Sequence, residues 1–200
     1  HDKDAHWSSI FDDLPPAQYS TFDLRQINQA LKETSYAHTE RQVAQGMLMS
    51  NWNHLDDYIT EPQNIWPFFA EHPEFISEAL GLSPSLAKSP YYQLGAIKPT
   101  TILEYYPSIP QQYLPRSLQY ALRENKRLRF NAQQALQTLP DIYLRAVEAL
   151  DSGKQEIRVT AIEWLARLQR QEAVKPLNAL LKKEKKEIVR AALLTALEKL

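Results

Sequence analysis

Apolar residues recur along this chain at spacings of three and four, while alternation at period two is weak throughout. The pattern predicts helices and no strands. Ser20 or Thr21 can cap a first helix running to about Glu33, with Phe22, Leu24, Ile27 and Leu31 on its apolar stripe. Thr39, followed by Glu40, opens a second helix to about Met49, and a short third spans Asn51 to Ile59. Pro62 suits a first turn, so a fourth helix is expected from about Glu61 to His72, with a kink at Pro67. Pro73 starts a fifth that ends near Leu80, where Gly81 is a good stop. Pro84, Pro90, Tyr91, Tyr92 and Gly95 crowd residues 83–98, the best internal boundary. A helix over 99–106 precedes Pro107 and Pro110. The pattern then predicts helices at about 111–124, 126–138, 140–151, 155–168, 171–182 and 187–200.

Three of these helices share one sequence pattern. Residues 128–139, 157–168 and 189–200 align without gaps, each opening on an aliphatic residue followed by Arg129, Arg158 or Arg190. Apolar positions recur three, six, seven and ten residues after the arginine; in the middle copy they are Ala161, Trp164, Leu165 and Leu168. Of the intervening helices, Tyr143, Leu144, Val147 and Leu150 correspond to Ala173, Val174, Leu177 and Leu180. Each unit is a two-helix hairpin of about 30 residues that cannot bury its apolar face alone, so stacked neighbours must complete a common core. Trp164 stands where the other copies have Ala135 and Ala196, and its ring is expected to be buried between adjacent repeats. Leu193, Leu194, Leu197 and Leu200 leave the last helix strongly apolar, and an exposed patch there would mark a truncated chain, a dimer contact or the seat of a further repeat.

The hairpin pattern resembles the short HEAT-like repeats of phycobilisome-lyase proteins over residues 128–200, and more loosely over 99–127. The resemblance implies an all-α fold: an α-α superhelix, a HEAT-like solenoid, whose second helices line a concave, partner-binding side. The expected division is an irregular helical cap region at 1–98 and a repeat region at 99–200, the alternative being one continuous domain. No lyase activity follows, because nothing matches a tetrapyrrole site. Residues 64–75, with Glu78 to Leu82, are similar to the amino-terminal region of large bacterial proteins related to the molybdate metabolism regulator. That likeness implies a segment of a larger protein.

Composition narrows the chemistry. The absence of cysteine excludes disulfides, thiolate catalysis and cysteine metal sites. No run reaches the roughly 18 apolar residues of a membrane span. A net charge of −1 hides an acidic first hundred residues, at −7, and a basic second hundred, at +6. Four isolated glycines form no phosphate-cradling loop, and there is no nucleophile elbow. Of the five histidines, His54 and His72 have acidic neighbours, but neither cluster offers ligands at i and i+4, so no metal or other cofactor is expected. Trp66, Phe68, Phe69 and Phe75 are better read as the core of a small helical cap than as a groove.

Binding candidates come from two patterns. Arg123, Lys126, Arg127 and Arg129 cluster, either as a surface for phosphates or an acidic partner or as a solvated turn. Lys182, Lys183, Lys185 and Lys186 read as a solvated turn, interrupted by Glu184 and Glu187. On the side that the resemblance makes concave, exposed positions would include Asn131, Gln134, Thr160, Glu163, Arg167 and Thr195. Arg129, Arg158 and Arg190 either join that surface or fix the stacking by pairing with an acid or carbonyl. The expectation is a non-catalytic, cytoplasmic, protein-interaction or scaffolding module. Its partner would be another protein or another domain of the parent chain, with no membrane and no small-molecule substrate. The alternative is a nucleic-acid-binding protein such as a HEAT-like DNA glycosylase.

Overall fold

A computed structural model describes residues 11, 13–34, 37–49, 55–87, 93–95, 97–123 and 125–200. Residues 1–10 of the expected lead-in, the start of the third helix at Asn51, His54, and Pro90 to Tyr92 lie outside the described residues. Every regular element among the described residues is helical. Two compact units divide the chain, His1–Pro107 and Ser108–Leu200.

The first unit holds α1 (Leu24–Lys32), α2 (Thr39–Leu48), α3 (Leu55–Tyr58), α4 (Pro62–Glu71), α5 (Pro73–Ala79) and α6 (Ile97–Glu104). The cap of α1 is Asp23, not Ser20 or Thr21. Its carboxylate accepts the Arg25 amide at 2.7 Å and the Arg25 guanidinium at 2.9 Å, whereas residues 16–21 close into a 3₁₀ helix and Phe22 is extended. Leu24, Ile27 and Leu31 are buried, and the Thr39 hydroxyl at the start of α2 donates to the buried Asn28 at 2.9 Å. Helix α4 runs on through Pro67, and Gly81 takes the left-handed conformation (φ 69°) after α5, which glycine adopts without the clash a Cβ would bring. Phe68 and Phe69 are fully buried and edge to face at 5.2 Å, Phe75 is buried with them, and Trp66 leans on Tyr106. Phe68, Phe69 and Phe75 are therefore core, with Trp66 half-buried at its edge.

A buried ion pair joins α2 to α5. Arg41 of α2 forks onto both Glu78 oxygens of α5 at 2.9 Å, and the Ser85 hydroxyl donates to Glu78 at 2.8 Å. The Glu78 side chain is 2% exposed. Burial alone would raise its pKa; the Arg41 and Ser85 hydrogen bonds outweigh it and hold the carboxyl below its ordinary 4.5.

The second unit is a stack of hairpins. A 3₁₀ turn at Gln111–Tyr113 leads into α7 (Leu114–Ala121), which pairs with α8 (Lys126–Leu136). Then α9 (Ile142–Glu148), ending in a 3₁₀ turn at Ala149–Asp151, pairs with α10 (Gln155–Leu168). A further 3₁₀ turn, Gln171–Ala173, leads into α11 (Val174–Lys183), which pairs with α12 (Glu187–Lys199). The second helices begin alike: Asn125, Lys154 and Lys186, each four residues before a repeat arginine, are the extended N-caps. Ala132, Ala161 and Leu193 are buried three residues after the arginine, and Ala135, Trp164 and Ala196 six residues after it. Trp164 is 2% exposed, as expected of a ring inside the stack.

The first helices need a correction. Leu144, placed in the core by the sequence alignment, is 45% exposed, and Ile142 and Ala146 are buried instead. The buried set matches Ile142 with Ala173 and Ala146 with Leu177, 31 residues apart, while Leu150 and Leu180, both buried, keep the expected spacing of 30. The two first helices are not superimposable in sequence, because α9 ends in a 3₁₀ turn whereas α11 begins with one. On α12, Leu193 is buried, while Leu194 and Ile188 are 51% and 62% exposed.

The Arg41–Glu78 pair gives the first unit an acid-sensitive term. Because the folded pKa is depressed, its contribution is present above the ordinary value and is lost as pH falls through the folded one. Urea titrations across the acid range are expected to show a shallower pH slope in Glu78→Gln. At neutral pH, Arg41→Ala should cost roughly 3–5 kcal/mol by leaving a buried carboxylate unpaired. An unchanged slope in Glu78→Gln would contradict this.

Candidate binding groove

The site is built on the first turns of α8, α10 and α12, and the repeat arginines set those turns. Each arginine donates through Nη1 to the carbonyl six residues before it: Arg129 to Arg123 at 3.4 Å, Arg158 to Ser152 at 2.8 Å, and Arg190 to Glu184 at 3.1 Å. The carbonyl belongs to the turn between the two helices of the hairpin, so the bond closes that turn against the second helix. A planar guanidinium can bind this carbonyl and still reach further. Arg129 also donates to the Thr160 hydroxyl of the next repeat at 3.0 Å, and Arg158 donates through Nε to Glu184 of the next inter-helix turn at 3.0 Å. Arg190 takes a second carbonyl, Leu181, at 3.0 Å.

Glu184 is the receiving half of the Arg158 clip. Its other oxygen accepts the amides of Lys185 and Lys186 at 3.0 and 2.9 Å, just ahead of α12. The Lys186 amide is the main cause of a lowered Glu184 pKa; desolvation opposes it, and the Arg158 charge and the Lys185 amide add to the lowering. A second link lies one turn further along. Gln133, 3% exposed, donates to the Ala121 carbonyl at 2.8 Å and accepts from the Arg167 guanidinium. It thus joins α7, α8 and α10. Partial burial lowers the Arg167 pKa; Glu163 opposes this, and the nearby Arg129 charge adds to it.

Between these first turns lies an open groove of about 580 Å³. Leu122, Arg123, Asn125 and Arg129 form one wall, and α10 supplies Ile157, Val159, Thr160 and Glu163. Lys154, Gln155 and Glu156 lie at the start of α10, and Ile188 reaches in from α12. Arg123 lies over the Tyr120 ring, 5.0 Å from its centroid.

The structure thus brings together four of the sequence candidates: Arg123, Arg129, Thr160 and Glu163. Thr160 departs from expectation in exposure. It is 4% exposed because Arg129 of the preceding repeat covers its hydroxyl. Asn131 and Gln134 are half-buried on α8, while Lys126, Arg127, Arg190 and Thr195 are exposed and do not line the groove. Arg158 and Arg167 are spent on the contacts between repeats.

Sequence reasoning missed Lys154 and Ile188. The repeat itself carried the signal for both. Lys154 is the N-cap position four residues before Arg158. Ile188 sits two residues before Arg190, where the other copies have Arg127 and Glu156, so an apolar residue replaces a charge.

Residues 143–200 match the family model of HEAT repeats. The stretch is a HEAT-like repeat. The described residues are all-helical, and the stacked hairpins of the second unit are of the α-α solenoid type. The matched segment spans α9 to α12, and the bond from Arg129 to the carbonyl six residues back extends the same device one hairpin earlier. HEAT repeats generally mediate protein–protein interaction or scaffolding and are typically non-catalytic. Comparison with curated proteins finds no match. No helix among the described residues is long and apolar enough to cross a membrane.

Arg158 is expected to be structural where Arg127 is not. Arg158→Ala removes two bonds, one of them to a carboxylate, and should cost roughly 1.5–3 kcal/mol in urea denaturation. Arg158→Lys recovers only part of this, since an ammonium lacks the fork. Arg127→Ala, at an exposed site, should stay within about 0.5 kcal/mol. Equal effects of Arg158→Ala and Arg127→Ala would refute the clip.

Proposed function

We propose that the second unit is a non-catalytic protein-docking module that holds its partner against the first turns of α8, α10 and α12. The observation that carries this reading is the groove. It is walled by elements that the arginine clips fix in place, and it mixes apolar, basic and hydrogen-bonding side chains as a peptide site requires. The general role of HEAT-like repeats and the composition of the groove both support this reading. The partner is another protein or a further domain of a longer parent chain, and the compartment we favour is the cytoplasm. The likeness of residues 64–82 to the molybdate metabolism regulator family motivates a regulatory parent, but names no partner.

The nucleic-acid alternative gains less from the same residues. Glu156 and Glu163 interrupt the basic wall of the groove, whereas a phosphate backbone calls for a continuous positive track.

Cross-linking of the tagged chain in cells, followed by mass spectrometry, tests the reading. Cross-links are expected at Lys154, Lys126 and Lys186 in preference to Lys175 and Lys199, and the double reversal Arg123→Glu with Lys154→Glu should reduce partner capture at least about tenfold, or 1.4 kcal/mol. Cross-links centred on α9 and α11, with capture untouched by the double reversal, would sink it.

A further inference from the structure

We infer that the groove at the first turns of α8 and α10 is a receptor for an acidic peptide segment carrying an apolar side chain, its carboxylates meeting Arg123, Arg129 and Lys154 and its apolar residue resting on Ile188. This rests on the docking reading above and names the class of partner.

The argument begins with charge. Among the described residues, Arg123, Arg129 and Lys154 line the groove without a carboxylate in ion-pair reach. Arg123 has the Tyr120 ring beneath it, and Arg129 has only a hydroxyl and a carbonyl. Elsewhere in the unit Arg158 pairs with Glu184, Arg145 with Glu148 and Lys183 with Asp151, while Arg190 and Arg167, which lie outside the groove, bond to carbonyls and to Gln133. The groove therefore concentrates cations whose counter-charge must come from solvent or from a ligand. Of its two acids, Glu163 is drawn to Arg167, on the same helix, and Glu156 sits exposed in the first turn of α10, where the helix dipole favours it.

The second strand is backbone polarity. Helix α10 is 14 residues long, and its N-cap, Lys154, has no side chain able to accept from the first-turn amides. An acidic side chain from a partner would complete that turn while pairing with the Lys154 ammonium. The third strand is the apolar contact. Ile188 is 62% exposed at the position where the other repeats carry Arg127 and Glu156, and Ile157 and Val159 line the same groove. A wholly electrostatic ligand would leave that surface wet. A peptide that alternates acids with an aliphatic residue would cover it. Guanidinium groups suit planar, bidentate carboxylates, and Arg123 and Arg129 stand close enough for the Arg129 guanidinium to reach the Arg123 carbonyl.

The test uses a fluorescein-labelled, acetylated and amidated ten-residue peptide in which glutamates and aspartates flank a central leucine. Its binding to the full chain is followed by fluorescence anisotropy at low and at physiological salt. Binding is expected to weaken with salt, at least about tenfold on Lys154→Glu and about as much on Ile188→Glu, with Arg127→Glu as a control that leaves it unchanged. Lys154 and Ile188 are both exposed, so thermal melts of these variants should match the parent chain. Three results would each overturn the inference: no binding of the acidic peptide, equal binding of its lysine-substituted counterpart, or equally tight binding of a single-stranded oligonucleotide of the same charge. If the peptide fails while cross-links still map to the first turns of the second helices, the acidic-peptide inference falls and the docking reading survives.

Discussion

A hairpin of two short helices has more apolar surface than it can cover by itself. In the second unit this constraint decides almost everything else. Helix α10 buries Ala161, Ile162, Trp164, Leu165 and Ala166 against its own first helix and against α12, the next second helix in the stack. The buried faces of neighbouring hairpins are one surface shared between them. Side chains at the shared surface must therefore recur at a fixed register, and that is why three segments with one arginine-anchored pattern follow each other in this chain.

The arginine clip answers a second problem raised by stacking. Turns between helices carry carbonyls with no helical partner, and each needs a donor from elsewhere. Arg129, Arg158 and Arg190 each fill that need from the first turn of the second helix. Because Arg129 and Arg158 also bond forward, closing the turn and setting the next repeat are one act. The groove is a consequence. Holding the first turns of α8, α10 and α12 in a fixed row places their variable residues, Lys154 and Ile188 among them, along one lined channel.

How much of this could be read from sequence depended on where the information lay. The second helices were legible because buried positions at fixed distances from an arginine are a local, repeated signal, and α10 begins and ends where the pattern places it, at Gln155 and Leu168. The first helices were legible only to within one residue, because 3₁₀ turns at opposite ends of α9 and α11 shift the buried stripe without changing the residue types. Thr160 was misread for a different reason. A threonine on a helix face reads as exposed unless the chain that bonds it is known, and its partner Arg129 lies 31 residues away. The cap of α1 turned on whether Asp23 or an earlier hydroxyl captured the first amides, a choice made by the extended conformation of Phe22. The groove depended on bringing Arg123, Lys154 and Ile188 together, which no local pattern encodes.

The central claim is that stacked hairpins share one core, with Trp164 filling the position that alanine takes in the neighbouring copies. Thermal unfolding of Trp164→Ala, followed by circular dichroism beside the parent chain, tests it most directly. The shared core predicts a loss of roughly 3–5 kcal/mol, a large part of a domain's usual stability, and a clearly lowered Tm. A melt that coincides with that of the parent chain would mean that the ring contributes nothing to the stack, and would contradict the account.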